Sequence, residues 1–120
     1  MKEKSTISVT ITTVNSPLSL FKSLEGYFNQ TLKPLEVIVV CGSQDFSKIE
    51  NFLKRNKKDH LVKLIMFDGN KSDARNIGFS KSSGRYIIYA DDDMIPWKNL
   101  IKECSEVAES FDAVIIPEEG

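Results

Sequence analysis

The densest chemistry in the sequence is the run Asp91-Asp92-Asp93, which follows the apolar stretch Tyr86-Ile87-Ile88-Tyr89-Ala90. Carboxylates this close repel unless protons or a cation intervene, and hard oxygen ligands of this kind suit Mg²⁺ or Mn²⁺. Asp91 and Asp93 form an Asp-x-Asp pair that a tight turn can aim at one pocket, with Asp92 pointing elsewhere. The bland alternative is a solvated acidic turn, since acidic clusters are common on surfaces. Arg75 is the next candidate: its guanidinium suits phosphate, and the small residues Ala74 and Gly78 would let backbone approach a ligand. An arginine on the outside of a helix is the competing reading.

Other reactive types carry less. His60 is the only histidine, follows Lys57-Lys58-Asp59, and has no ligand cluster or triad to join. Cys41 and Cys104 form the only possible pair, each in or beside an apolar run, which favours a reduced, cytoplasmic protein. With no histidine or basic neighbour to lower its pKa, Cys41 reads as a packed strand-end residue. Trp97, next to Pro96, reads as packing before it reads as a shield over a pocket. Glu118 and Glu119 read as solvated charges.

These groups need a frame. Ser5 to Thr12 has Ile7, Val9 and Ile11 at period two and predicts a strand. Ser16-Pro17 reads as a helix start, and Leu20, Phe21, Leu24 and Phe28 recur at helical spacing. Leu35 to Val40 is a nearly unbroken apolar run expected of a parallel strand covered on both faces. Ser47 and Glu50 have capping-box spacing and predict the start of a second helix carrying Ile49, Phe52 and Leu53. Val62 to Phe67 predicts a third strand, Asp68-Gly69-Asn70 a turn, and Ser72 to Lys81 a short helix. Arg85 to Ala90 predicts a fourth strand, delivering the three aspartates where it leaves the sheet. Leu100, Ile101, Cys104, Val107, Ala108 and Phe111 predict a fourth helix, and Ala113 to Ile116 a fifth strand. The alternation implies an α/β fold, a three-layer α-β-α arrangement with a mostly parallel, Rossmann-like sheet. Ligands of such sheets bind beyond the carboxyl ends of the strands, where Asp91 to Asp93 stand.

Composition sets the limits. The chain has 120 residues, 41% of them hydrophobic, enough for one core, so residues 1–120 read as a single domain. Its 16 basic and 17 acidic residues leave a net charge of −1, which gives no overall field for nucleic acid or an anionic membrane. No apolar run approaches the roughly 18 residues of a membrane span.

Four blocks in order carry a resemblance over nearly the whole chain. They are Ile7 to Asn15, Leu35 to Val40 with Gly42-Ser43-Gln44-Asp45, Ala74-Arg75-Asn76-Ile77-Gly78, and Gly84 to Asp93. Together the chain resembles the nucleotide-sugar-binding half of family 2 glycosyltransferases of the A-type fold. The resemblance implies a truncated fold of that type, the N-terminal part of a longer domain. It implies an inverting, metal-assisted transfer of sugar from a nucleotide-diphosphate sugar to an acceptor hydroxyl, with Mn²⁺ or Mg²⁺ as cofactor. By the same resemblance Thr12, Thr13 and Asn15 line the base and ribose pocket, and Arg75 borders the nucleotide. Asp91 faces the ribose, Asp92 belongs to the nucleotide-sugar set, and Asp93 with Asp91 holds the metal. Cys41 stands where the family usually has a base-reading aspartate; a thiol is a poor acceptor, so Cys41→Asp is expected to strengthen UDP binding. The general base lies in the acceptor half, so no catalytic residue is assigned here and the chain alone is expected to be inactive in transfer. The expected partners are the sugar donor and an undetermined glycan, lipid-linked or protein acceptor, with no nucleic acid and with self-association through an uncovered edge as an option. The cytoplasmic face of the membrane, reached through a partner or a missing segment, is the alternative location. A non-catalytic nucleotide- or metal-binding module is the second reading, and a receiver-like signalling domain a third, disfavoured because strands three and five lack its aspartate and lysine.

Overall fold

The β-branched runs become four strands, β1 (Ile7–Thr12), β2 (Glu36–Cys41), β3 (Val62–Met66) and β4 (Tyr86–Asp91). Between them run α1 (Pro17–Phe28), α2 (Ser43–Arg55) and α3 (Lys71–Lys81), and α4 (Leu100–Ala108) follows β4. The computed structural model describes residues 5–13 and 17–108. The expected cap at Ser16 and the expected strand Ala113 to Ile116 lie outside them. Every strand pair is parallel and the order is β3-β2-β1-β4. The chain therefore winds outward from β1 to β3, then returns to place β4 on the other side of β1. That reversal opens a crevice at the carboxyl ends of β1 and its neighbours.

The two sheet faces are built differently. Ile7, Val9 and Ile11 of β1, with Val37, Val39 and Ile88, pack against Leu20, Leu24, Tyr27, Ile49, Leu53, Leu100 and Ile101 from α1, α2 and α4. The opposite face carries Ile38 and Val40 against Ala74, with Ile65, Phe67 and Ile77 at its margin, and α3 is its cover. There β1 presents buried Ser8, Thr10 and Thr12. A Cβ on Gly78 would come within 2.9 Å of the Thr10 hydroxyl. The small residue expected to admit a ligand instead admits strand β1 against the helix.

Helix ends are set partly by distant residues. The capping box expected at Ser47 and Glu50 is not the start of α2, which begins at Ser43 after Gly42. The reason is tertiary: Asp68, beyond β3, accepts the Ser43 backbone N–H at 2.8 Å and satisfies a donor that a local cap would otherwise serve. At its far end α2 closes with Lys57 N–H to Lys54 O (3.1 Å) and Lys58 N–H to Leu53 O (2.8 Å), a Schellman pair with Lys57 at φ 57°. Helix α3 starts one residue earlier than expected because Asn70 caps it, accepting Asp73 N–H at 2.8 Å.

Glu36 anchors the other end of α3. Its carboxylate accepts from the Ser8 hydroxyl (2.6 Å), the Ser83 backbone N–H (2.6 Å) and the Ser83 hydroxyl (2.9 Å), and pairs with Lys63 at 2.7 Å. Burial alone would raise the pKa of this carboxyl; the bonds from Lys63, Ser8 and Ser83 outweigh it and hold the value down at about 2. Ser8 passes the network on, accepting Gly84 N–H at 2.8 Å.

Candidate functional site

A cleft of about 210 Å³ opens at the carboxyl ends of β1, β2 and β3. Thr12 ends β1 and Thr13 follows it, Cys41 ends β2 and Gly42 follows it, and Asp68, Asn70, Lys71 and Ala74 come from the loop after β3 and the first turns of α3. The residues that precede α2 and α3, Gly42 and Asn70, both line it, so two helix N-termini add positive potential to its wall. A larger hollow of about 330 Å³ lies at the opposite ends of the strands among Phe28, Pro34, Leu35 and Leu61. Its carboxylate, Glu36, is already taken up by Ser8, Ser83 and Lys63, and most of its remaining lining is apolar.

Thr12 belongs to this cleft, and its hydroxyl is buried without a hydrogen-bond partner among the described residues. Its register partner on β4 is Asp91, so the acidic turn begins beside the cleft. Asp91 is partly exposed and pairs with Lys71 Nζ at 3.0 Å. Arg75, one turn further along α3, lays its guanidinium 4.3 Å from the centre of the Tyr89 ring, and Phe79 meets the same ring edge-on at 6.0 Å. The Arg75 Nε and the Tyr89 hydroxyl are both buried without partners among the described residues. Lys71 and Arg75 of α3 thus run along Asp91 and Tyr89 of β4, residues whose side chains share one face of the strand.

The three aspartates differ in surroundings, and none of them lines the cleft. Asp92 is buried, accepts the Thr13 hydroxyl at 2.7 Å, and offers its backbone carbonyl to Ser23 at 3.0 Å. These two bonds fasten the turn to the residue after β1 and to α1. Ser23 also donates to Met94 O at 2.6 Å, and Met94 N–H closes the turn onto Asp91 O at 3.3 Å. Buried Gln30 then holds the chain beyond the turn, donating to Trp97 O at 2.7 Å and accepting Ile101 N–H, in the first turn of α4, at 2.9 Å. Asp93 is exposed. Trp97 is half exposed, donates to Glu103 at 3.2 Å and does not line the cleft. Asn15 lies outside the described residues.

Cys41 is a buried free thiol at the cleft wall. Burial first, then the negative charges of Asp45 and Asp68, push its pKa up to about 11, so it is a neutral packing group. Asp68 carries the carboxylate that the cleft wall does present beside it. Asp68, Asn70 and Lys71 were missed as site residues from the sequence, where the first two read as a turn. The available signals were Asn70 with Asp73 three residues on, a cap pattern, and Lys71 with Arg75 at i, i+4, which share a helix face.

No group of three or more His, Cys, Asp or Glu residues among the described residues is arranged to hold a metal ion. A hard divalent ion can be held by one or two carboxylates when ligand phosphates and water complete its shell; Asp91, paired with Lys71, and exposed Asp93 are the carboxylates the turn offers.

A cleft at the carboxyl ends of β1, β2 and β3, bordered by the starts of two helices, lies on the side of the sheet where open parallel α/β folds bind their ligands. The family model described as Glycosyl transferase family 2 matches residues 8–118, and the chain belongs to that family. An uncharacterized glycosyltransferase of Rickettsia bellii (strain RML369-C) is 32% identical over 98 residues, covering 80% of this chain and 14% of that protein. Among solved structures, S. aureus TarS is similar with a TM-score of 0.70 at 22% identity, over 92% of this chain and 20% of that one. TarS 1–349 in complex with UDP gives 0.68 at 21% identity, over 92% of this chain and 32% of that one. The A-type glycosyltransferase architecture expected from the sequence is the one found. The chain spans about one seventh of the curated relative's length and a fifth to a third of these solved chains.

Proposed function

We propose that this chain supplies the donor-binding part of an inverting glycosyltransferase acting on a nucleotide-diphosphate sugar. The observation that carries the reading is the cleft itself: an unpartnered buried Thr12 hydroxyl, the Asp68 carboxylate and Lys71, which pairs with Asp91, line it at the carboxyl ends of the strands. Nucleobase and ribose fit the hydroxyl and carboxylate side, with Asp68 in place of the acceptor that Cys41 cannot provide. The diphosphate fits the positive side, at Lys71 and the two helix N-termini. A divalent ion would be held by Asp93 with Asp91 and would neutralise charge on the departing nucleoside diphosphate. Asp92, locked by Thr13, holds the turn that presents them. The acceptor hydroxyl attacks the anomeric carbon from the opposite side, and a carboxylate outside the donor cleft takes its proton. TarS in complex with UDP is the similar structure that motivates the choice of nucleotide.

Calorimetric titration of UDP with and without Mn²⁺, on the chain and on Asp93→Ala, tests this. Binding that strengthens at least tenfold with Mn²⁺, and loses that gain in Asp93→Ala, is expected. Equal, metal-independent affinity in both proteins would remove the ligand role of Asp93. The alternative, a non-catalytic nucleotide-binding module, is favoured by Cys41 at the strand end. It predicts UDP binding without hydrolysis or transfer of any nucleotide sugar, even in the longest natural form of the protein.

A further inference from the structure

Lys71 touches both halves of the proposed site. Its ammonium pairs with Asp91 at 3.0 Å, and the same residue lines the 210 Å³ cleft. Helix α3 fixes that double position: Asn70 caps its first turn, and Arg75, one turn on, is laid on Tyr89. The backbone of α3 therefore cannot move without disturbing both contacts, whereas the Lys71 side chain can. It is 43% exposed and Asp91 28% exposed, so the pair is screened and accounts for no more than about a fivefold factor.

We propose that Lys71 is a positioning residue that couples cation and nucleotide binding: it serves as the counter-ion of Asp91 in the free protein and turns to the ligand's phosphates when a divalent cation takes Asp91. This rests on the donor-cleft reading above. A cation binding alone must displace the ammonium from Asp91. A nucleoside diphosphate binding alone meets an uncompensated Asp91 once it draws Lys71 away. Arriving together, each removes the other's obstacle, so the two affinities rise by the same factor. Lysine suits this better than arginine would, being a flexible point charge rather than a planar fork that locks onto one carboxylate.

The test compares wild type, Lys71→Met and Lys71→Arg, with circular dichroism to verify folding. Free Mn²⁺ is counted by electron paramagnetic resonance, and UDP and uridine are titrated calorimetrically with and without Mn²⁺. In Lys71→Met, Mn²⁺ alone should bind about threefold to fivefold tighter, because Asp91 is released. UDP with Mn²⁺ should bind about tenfold weaker, with uridine unchanged, since only the phosphates lose a partner. Lys71→Arg, which keeps the charge but holds Asp91 more firmly, should bind UDP better than Lys71→Met does and gain less from Mn²⁺ than wild type. A folded Lys71→Met with Mn²⁺ affinity and UDP-to-uridine ratio both within twofold of wild type would overturn the proposal and leave an ordinary surface ion pair. A wild-type chain that binds no nucleoside diphosphate would refute the donor-cleft reading instead. In that event the Mn²⁺-alone comparison still decides the proposal: a gain in Lys71→Met upholds the counter-ion role, and no gain overturns it.

Discussion

Replacing Glu36 by Gln should destabilise the domain at neutral pH and do so less and less as the pH falls. The carboxylate lies at the start of β2 and collects four donors from three other segments: Ser8 on β1, Lys63 on β3, and the backbone and hydroxyl of Ser83 beyond α3. A carboxyl whose pKa falls from 4.5 to about 2 on folding is linked to at most about 3 kcal/mol at pH 7. Lys63 is half exposed, so screening cuts its share and about 1.5–2 kcal/mol is the expected cost of Glu36→Gln. The sign follows from the depressed pKa. The contribution is complete above pH 4.5, where the unfolded carboxyl is also ionised, and is lost as pH falls from 4.5 toward 2. Urea unfolding of both proteins at pH 7, 5, 4 and 3 measures it, with the difference between them cancelling the other carboxylates. A difference below about 0.3 kcal/mol at pH 7 would show that the network contributes no net stability, and one that stays constant down to pH 3 would show that its contribution does not depend on the carboxylate's charge. Because α3 carries Asn70, Lys71 and Arg75, the same mutant should also weaken UDP binding with the donor cleft itself untouched.

Two further outcomes follow from buried groups around the cleft. Cys41→Asp, which the resemblance favours as a gain of nucleotide binding, should cost about 2 kcal/mol of folding stability at pH 7 and less at pH 4, because it buries a carboxylate beside Asp45 and Asp68; thermal unfolding at the two pH values checks it. Gln30→Leu should cost about 2 kcal/mol, since it leaves Trp97 O and Ile101 N–H without their buried partner, and chemical denaturation of the single mutant reads it directly.

The strands were legible because period two and unbroken apolar runs report burial, and burial is what the sheet imposes. Ile7, Val9 and Ile11 point into the larger core as their spacing predicts. The fate of the intervening Ser8, Thr10 and Thr12 was not legible, because polar β-branched residues suit a solvated face as well as one covered by a helix. Gly78 resolves the ambiguity only in three dimensions, by letting α3 settle onto Thr10. Helix starts failed where the cap came from elsewhere. Ser47 and Glu50 have the right spacing for a box, yet Asp68, 25 residues away from Ser43, supplies the acceptor. A local rule cannot see a partner delivered by the sheet.

The same distinction separates the acidic turn from the rest of the cleft. Adjacent carboxylates declare themselves in sequence because their mutual repulsion requires an explanation wherever they fall. Asp68, Asn70 and Lys71 raise no such question, since each is also an ordinary turn or helix-start residue. Their chemistry arises from convergence: Asp68 leaves β3 to reach the start of α2, Asn70 starts α3, and Lys71 crosses to β4. Lys71 also answers the question that the triplet poses. In the free protein the charge of Asp91 is met by an ammonium, and that of Asp92 is buried against the Thr13 hydroxyl, leaving Asp93 exposed. The turn can therefore fold before any metal ion arrives.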